Sequence, residues 1–163
     1  MNILDANLIC DMKVFDMHGV ALFLHILGAT IWTGGHIILA LIILPKALKE
    51  SSTKILLDFE SVYERIGMPA LITQIVTGIY LALNIESNVL NWFNVENRVT
   101  NVILIKLLLL TLTACFAINA RFRVIPNLNK SNLALMGWHI RAVTIISILF
   151  VFVGVSFRTG WLY

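Results

Sequence analysis

The chain carries four long apolar stretches, and each is long enough to cross a lipid bilayer. A transmembrane helix needs about 20 consecutive, mostly apolar residues to span a hydrocarbon core of about 30 Å. The bilayer offers the backbone no hydrogen-bonding partner, so a single spanning segment has to be helical. The sequence therefore predicts four transmembrane helices, at about residues 19–48, 66–85, 100–120 and 133–157.

The composition is that of an integral membrane protein. Apolar residues make up 59% of the 163 residues and charged residues 13%, against roughly 25% charged residues in a typical soluble domain. The predicted fold is therefore all-α, an integral membrane bundle of four transmembrane helices in contact with the lipid bilayer. It comprises an N-terminal segment at residues 1–18 and one four-helix domain at residues 19–163, with a short surface helix within the charged residues 51–65.

The distribution of Lys and Arg predicts the orientation. Eight of these residues fall on the side of the loops that follow helices 1 and 3, namely Lys46, Lys49, Lys54, Arg65, Arg121, Arg123, Lys130 and Arg141, and four fall on the other side. Positive residues are retained in the cytoplasm. Both termini are therefore expected on the outer, periplasmic side of a bacterial inner membrane. The basic residues form no single patch, so the net charge of +3 does not indicate a nucleic-acid partner.

Among the ionisable side chains inside the predicted helices, four need an explanation, namely His25, His36, Lys106 and His139. A Lys at the centre of a membrane costs roughly 2.5–3.5 kcal/mol on insertion scales, and such residues usually face the bundle interior or water. His25 and His36 are eleven residues apart, so they project from one face of helix 1, together with Trp32. Their axial separation of about 16 Å is too large for one metal ion.

Depth along the helices predicts two layers of these residues. His25 and Lys106 each lie about six residues from the outer end of their helix, and His36 and His139 both lie in the cytoplasmic half. Imidazole is a ligand for copper, zinc and haem iron, which makes His25, His36 and His139 candidate metal ligands. The candidate cofactor-binding residues are His25, Lys106, His36, His139, Trp32 and Arg141.

Several alternatives to a binding role stay open. A histidine inside a membrane can simply hydrogen-bond a neighbouring helix, and Lys106 can extend its ammonium group toward the surface. The outer segment also holds the soft-ligand candidates Cys10, Met12, Met17 and His18, without a fixed metal-binding spacing. No catalytic triad, phosphate loop or zinc-hydrolase motif is present in the sequence, and whether the protein is an enzyme stays open.

Two segments resemble the copper-resistance D (CopD) membrane family. They are His25-x6-Trp32-x-Gly34-Gly35 followed by Leu44-Pro45, and the helix of Lys106 followed by Asn119-Ala120-Arg121-Phe122-Arg123 and Pro126. The resemblance covers residues 20–126, and helix 4 does not match the pattern closely. His25 and Lys106 also resemble the His and Lys of HemJ-type protoporphyrinogen oxidases, a related four-helix group that binds haem b.

The resemblance implies copper handling at the inner membrane, by uptake or tolerance, with intramembrane histidines as ligands. The alternative is a haem b protein active in electron transfer or porphyrinogen oxidation, with Arg121, Arg123 and Arg141 available to propionates. A third alternative is a structural assembly subunit with packing histidines. The choice between copper and haem, the direction of transport, and assembly as a homo-oligomer or with a membrane partner subunit stay open.

Overall fold

A computed structural model describes the backbone of residues 3–94 and 96–162, and the side chains of those residues from position 17 onward. The elements in chain order are α1 (Ile3–Ile38), a π-helical turn (Leu39–Ile43), α2 (Leu44–Lys49), α3 (Thr53–Ile85), a 3-10 turn (Val89–Phe93), α4 (Arg98–Asn119), a second π-helical turn (Ala120–Val124) and α5 (Leu133–Thr159). Of the N-terminal soft-ligand candidates, Cys10 and Met12 lie outside the described side chains.

Four helices of the described chain are long and apolar enough to cross a membrane. We call them span 1 (Met17–Lys49), span 2 (Thr53–Ile85), span 3 (Arg98–Val124) and span 4 (Leu133–Thr159). The all-α, four-helix membrane fold that the sequence predicts is confirmed, and the chain is a multi-pass membrane protein.

Two predicted boundaries differ from the structure. α1 already begins at Ile3, and the charged residues 51–65 form no separate surface helix but the first half of α3. The helix continues because one face of this charged segment is apolar and packs on span 1, where Leu56 is only 2% exposed. Pro69 lies within the same helix without ending it.

The four helices are arranged in the order 2-1-4-3. Span 1 packs against spans 2 and 4, and span 3 packs against span 4, whereas few contacts join spans 2 and 3 within the described residues. An apolar cluster of Val102, Leu109, Ile146 and Val153 holds span 3 to span 4. Spans 1 and 4 therefore form the centre of the bundle, and their facing surfaces position the candidate site.

Spans 1 and 3 contain the same backbone geometry near their C-terminal ends. The N–H of Leu44 donates to the carbonyl of Leu39, and the N–H of Ile125 donates to the carbonyl of Ala120. A proline follows each π-helical turn, as Pro45, after which α2 continues the helix to Lys49, and as Pro126. We call the membrane side on which these two prolines lie the basic end of the bundle.

The shared π-helical turn relates two of the candidate residues. His25 lies 20 residues before Pro45 (45 − 25), and Lys106 lies 20 residues before Pro126 (126 − 106). Because spans 1 and 3 run in the same direction, equal spacing from equivalent turns brings both residues to the same level. The same backbone geometry thus occurs in spans 1 and 3, with a histidine at one equivalent position and a lysine at the other.

The orientation of this bundle can be measured with reporter fusions. We expect fusions after Lys54 and after Lys130 to be cytoplasmic, because Lys and Arg concentrate at the basic end. A fusion after Glu96 should lie outside. A fluorescent reporter that folds in the cytoplasm and a phosphatase that is active outside give opposite signals at each position. Phosphatase activity after Lys130, or fluorescence after Glu96, would invert the proposed topology.

Candidate functional site

His25 is held on span 2 through a hydrogen bond of known direction. Its Nδ1 lies 3.0 Å from the carbonyl oxygen of Gln74 and 3.0 Å from Oγ1 of Thr77. The Thr77 hydroxyl donates its own proton to the carbonyl of Thr73 at 2.6 Å. Both neighbours of Nδ1 therefore accept, so Nδ1 carries the proton. The other ring nitrogen, Nε2, keeps its lone pair and can serve as a ligand.

His36 has the same tautomer for a similar reason. Its Nδ1 donates to the carbonyl of Trp32 at 2.9 Å, which again leaves the lone pair on Nε2. His36 is 9% exposed, and its ring lies between Trp32, with ring centroids 4.4 Å apart, and Tyr63, at 5.8 Å and edge-on. His25, Trp32 and His36 share one face of α1, and we call them the interior stripe.

His139 lies apart from the interior stripe. Its Nδ1 donates to the carbonyl of Leu135 at 3.0 Å, and its half-buried ring meets Phe116 of span 3 edge-on at 5.7 Å.

Arg141 is exposed and its guanidinium lies 5.6 Å from the ring centre of Trp138. This pair of a cation and an exposed aromatic ring is typical of a membrane-interface anchor.

The structure places His25 and Lys106 at the same level of the bundle. The Thr33 hydroxyl donates to the carbonyl of Ser147 at 3.4 Å, which fixes the register of spans 1 and 4. His25 is eight residues above Thr33, and Gly154 is seven residues above Ser147, so both are about 11–12 Å higher. The Nζ of Lys106 lies beside Gly154, 3.4 Å from where a Cβ would stand there. At that height its charge acts on the imidazole of His25.

The structure does not bring His36 and His139 together. The Thr144 hydroxyl donates to the His36 carbonyl at 3.1 Å, and His139 lies five residues nearer the basic end, which is about 7.5 Å. The predicted depth match assumed that helices 1 and 4 end in one plane. Instead Leu44 packs on Gly137, already inside span 4, and this packing shifts the register.

Lys106 has an unusual environment for a charged group in a membrane span. Its Nζ lies 5.5 Å from the ring centre of Phe157. Among residues 17–94 and 96–162, Arg121 and Glu64 form an ion pair at 3.1 Å, and no carboxylate pairs with Lys106. A cation at the level of an imidazole with a free lone pair could hold an anionic group there.

Tyr63 is a site residue that sequence reasoning missed, because it falls in the segment read as a surface helix. Its hydroxyl donates to the carbonyls of Trp32 at 2.9 Å and of Ile31 at 3.2 Å. Its ring lies directly against Gly35. The signal in the sequence was Gly35 itself, which indicated close packing without naming the partner.

The described residues contain no group of three or more His, Cys, Asp or Glu side chains arranged to hold a metal ion. The interior stripe instead offers two separate imidazole nitrogens on one face of α1. With this spacing, a metal ion can be bound by only one of the two histidines at a time.

Comparison with known proteins identifies a family. A family model described as copper resistance protein D matches residues 58–157, which is 100 of the 163 residues (157 − 58 + 1). The match includes all of span 3 and nearly all of span 4, the helix that resembled the family least by its motifs. No curated protein and no solved structure matches the chain.

The two adjacent glycines of span 1 allow a matched test of the Tyr63 contact. A Cβ at Gly35 would overlap the Tyr63 ring, whereas a Cβ at Gly34 would meet nothing within 4 Å. We expect Gly35→Ala to destabilise the protein by about 1–3 kcal/mol, and Gly34→Ala to be neutral or stabilising by up to about 1 kcal/mol. Thermal unfolding in detergent measures both, and equal stabilities would contradict the contact.

Proposed function

Because the chain belongs to the copper resistance protein D family, we propose that it handles copper within the membrane, for uptake or tolerance, through His25 and His36 of the interior stripe. One observation carries the proposal. Both imidazoles donate Nδ1–H to a backbone carbonyl, which leaves both Nε2 lone pairs available. A carbonyl partner on the second nitrogen is the usual support of a histidine that ligates a metal.

The spacing of the two histidines favours passage of copper over storage. They are about 16 Å apart along α1, so each would hold the ion in turn. Since no three-ligand group is present in the described part of the chain, each position would bind the ion weakly. Conduction requires binding that is weak enough and distributed enough for the ion to leave.

The position of Lys106 would regulate the first of these steps. Its charge acts on His25, and a like charge opposes binding of a copper cation there. Lys106 would therefore limit entry at the level of His25. In the proposed orientation, with both termini on the periplasmic side of a bacterial inner membrane, this level is the outer one.

Copper accumulation in cells that express the protein tests this function. We expect His25→Ala and His36→Ala each to reduce accumulation about 10- to 100-fold, the range seen when support of a metal ligand is lost. His139→Ala should retain accumulation, because its ring packs on Phe116 away from the interior stripe. Lys106→Met should increase accumulation.

Elemental analysis of washed cells, at equal amounts of protein in the membrane, provides the measurement. Wild-type accumulation in both His25→Ala and His36→Ala would refute the proposal. If His139→Ala loses as much accumulation as His36→Ala, this result would support the pairing of His36 with His139 that their depth predicted.

A second candidate function is haem b binding, and the environment of Lys106 favours it. Within the described chain no carboxylate pairs with Lys106, and a propionate would supply one. The residues present fit the group, since His25 offers a nitrogen ligand and Phe157 an aromatic surface near Lys106. Bound haem would supply one-electron transfer. His25 would hold the iron and Lys106 a propionate, whereas His36 and His139 differ too much in height to share one iron.

An optical spectrum of the purified protein tests the haem candidate. A reduced-minus-oxidised haem b signal is expected, and His25→Ala should abolish or shift it while His36→Ala retains it. The absence of any haem signal from protein purified with haem supplied would exclude this candidate. If copper accumulation is also unaffected by both histidine substitutions, the third alternative, a structural assembly subunit, is favoured.

A further inference from the structure

We propose that a groove between spans 1 and 2 binds an anionic phospholipid, with its phosphate on Arg65 and an acyl chain along the groove. The groove has a volume of about 320 Å³, within the range of small-molecule sites. Leu24, Leu27 and Ile31 line it on span 1, and Arg65, Ile66 and Pro69 line it on span 2. We call it the lateral groove.

The lateral groove is separate from the interior stripe. At 100° per residue, Leu24, Leu27 and Ile31 lie on a different face of α1 from His25 and His36. The walls are aliphatic and open outward, since Leu27 is 42% and Ile66 is 56% exposed. On a membrane span, an exposed surface of this kind faces lipid. The groove therefore offers an acyl chain an apolar channel from the bilayer side.

Arg65 gives one end of the groove a charge that requires a partner. Its side chain is exposed and lines the groove, and no carboxylate of the described residues pairs with it, since Glu64 pairs with Arg121. Charged side chains in membrane spans usually find a counter-charge or extend to the surface. A guanidinium group matches the geometry of a phosphate with paired N–H donors.

Pro69 adds a hydrogen-bond acceptor at the same end. A proline has no N–H, so the carbonyl of Arg65, four residues earlier, receives no regular helical hydrogen bond. Arg65 thus presents donors on its side chain and an acceptor on its backbone. A phosphate with a hydroxyl-bearing headgroup, such as phosphatidylglycerol, complements both.

The direction of the groove agrees with the orientation of a lipid. Arg65 follows Glu64, whose ion pair with Arg121 lies toward the basic end, whereas Leu24 lies one residue from the level of His25 and Lys106. The charged end of the groove therefore lies toward the basic end of the bundle, and the apolar end extends away from it along the bilayer. Basic pockets between helices on the side rich in Lys and Arg recognise anionic lipid headgroups.

Native mass spectrometry of the full-length chain, released from bilayer discs, tests the proposal. The probes are phosphatidylglycerol and phosphatidylcholine with identical acyl chains. We expect the protein to retain phosphatidylglycerol roughly tenfold more than phosphatidylcholine. Arg65→Gln should abolish this preference, and Leu27→Trp, which fills the groove, should reduce retention of both lipids.

Lys54→Gln is the matched control, since it removes one positive charge from an exposed position of the same helix outside the groove. It should leave retention unchanged. If Arg65→Gln fails to fold by size-exclusion chromatography, Arg65→Lys replaces it, and this variant should retain less phosphatidylglycerol than the wild type because it lacks the planar fork.

Three outcomes would overturn the proposal. The first is an unchanged lipid preference in a folded Arg65 variant. The second is an equal loss in Lys54→Gln, which would indicate a general effect of charge. The third is a lipid-free dimer that Leu27→Trp disrupts, which would assign the groove to a second copy of the chain.

Discussion

A polar side chain inside a bilayer has to find its hydrogen bonds within the protein, and this requirement determines the state of three histidines in the bundle. His25, His36 and His139 all direct Nδ1 to a backbone carbonyl. A carbonyl only accepts, so the membrane fixes the tautomer as well as the ring orientation. The same hydrogen bond that makes a histidine tolerable in the membrane leaves its second nitrogen free, so structural support and ligand chemistry are not alternatives here.

Close packing of small residues makes these hydrogen bonds reachable. Tyr63 reaches the carbonyls of Ile31 and Trp32 only because Gly35 leaves room for its ring. Gly78 lies against the ring of His25, and Gly154 lies beside the end of Lys106. His25 on span 1 and Lys106 on span 3 thus each have a glycine opposite them on the following span. Small residues at such contacts let membrane helices approach and hydrogen-bond one another.

The sequence was sufficient for the fold, because membrane spans are recognised from the length and hydropathy of single segments. It also predicted the common level of His25 and Lys106, since the distance of each residue from the outer end of its helix is a property of that helix alone. It did not give the heights of His36 and His139. Those depend on which residues of two helices pack together, as Leu44 does on Gly137, and no single segment contains that information. Tyr63 was missed for a related reason, since its charged neighbours dominate the local pattern while its own contacts lie on another helix.

The repeated backbone also clarifies what Lys106 contributes. His25 and Lys106 lie at the same distance before the proline of an equivalent π-helical turn, yet one is a histidine and the other a cation. If both positions served only packing, a charge would be the more expensive choice, because insertion of Lys costs more than that of most residues. The charge of Lys106 would favour anions over cations at the level of His25. A copper ion would be repelled there and an anionic group attracted, so the two candidate functions require opposite roles of a single side chain.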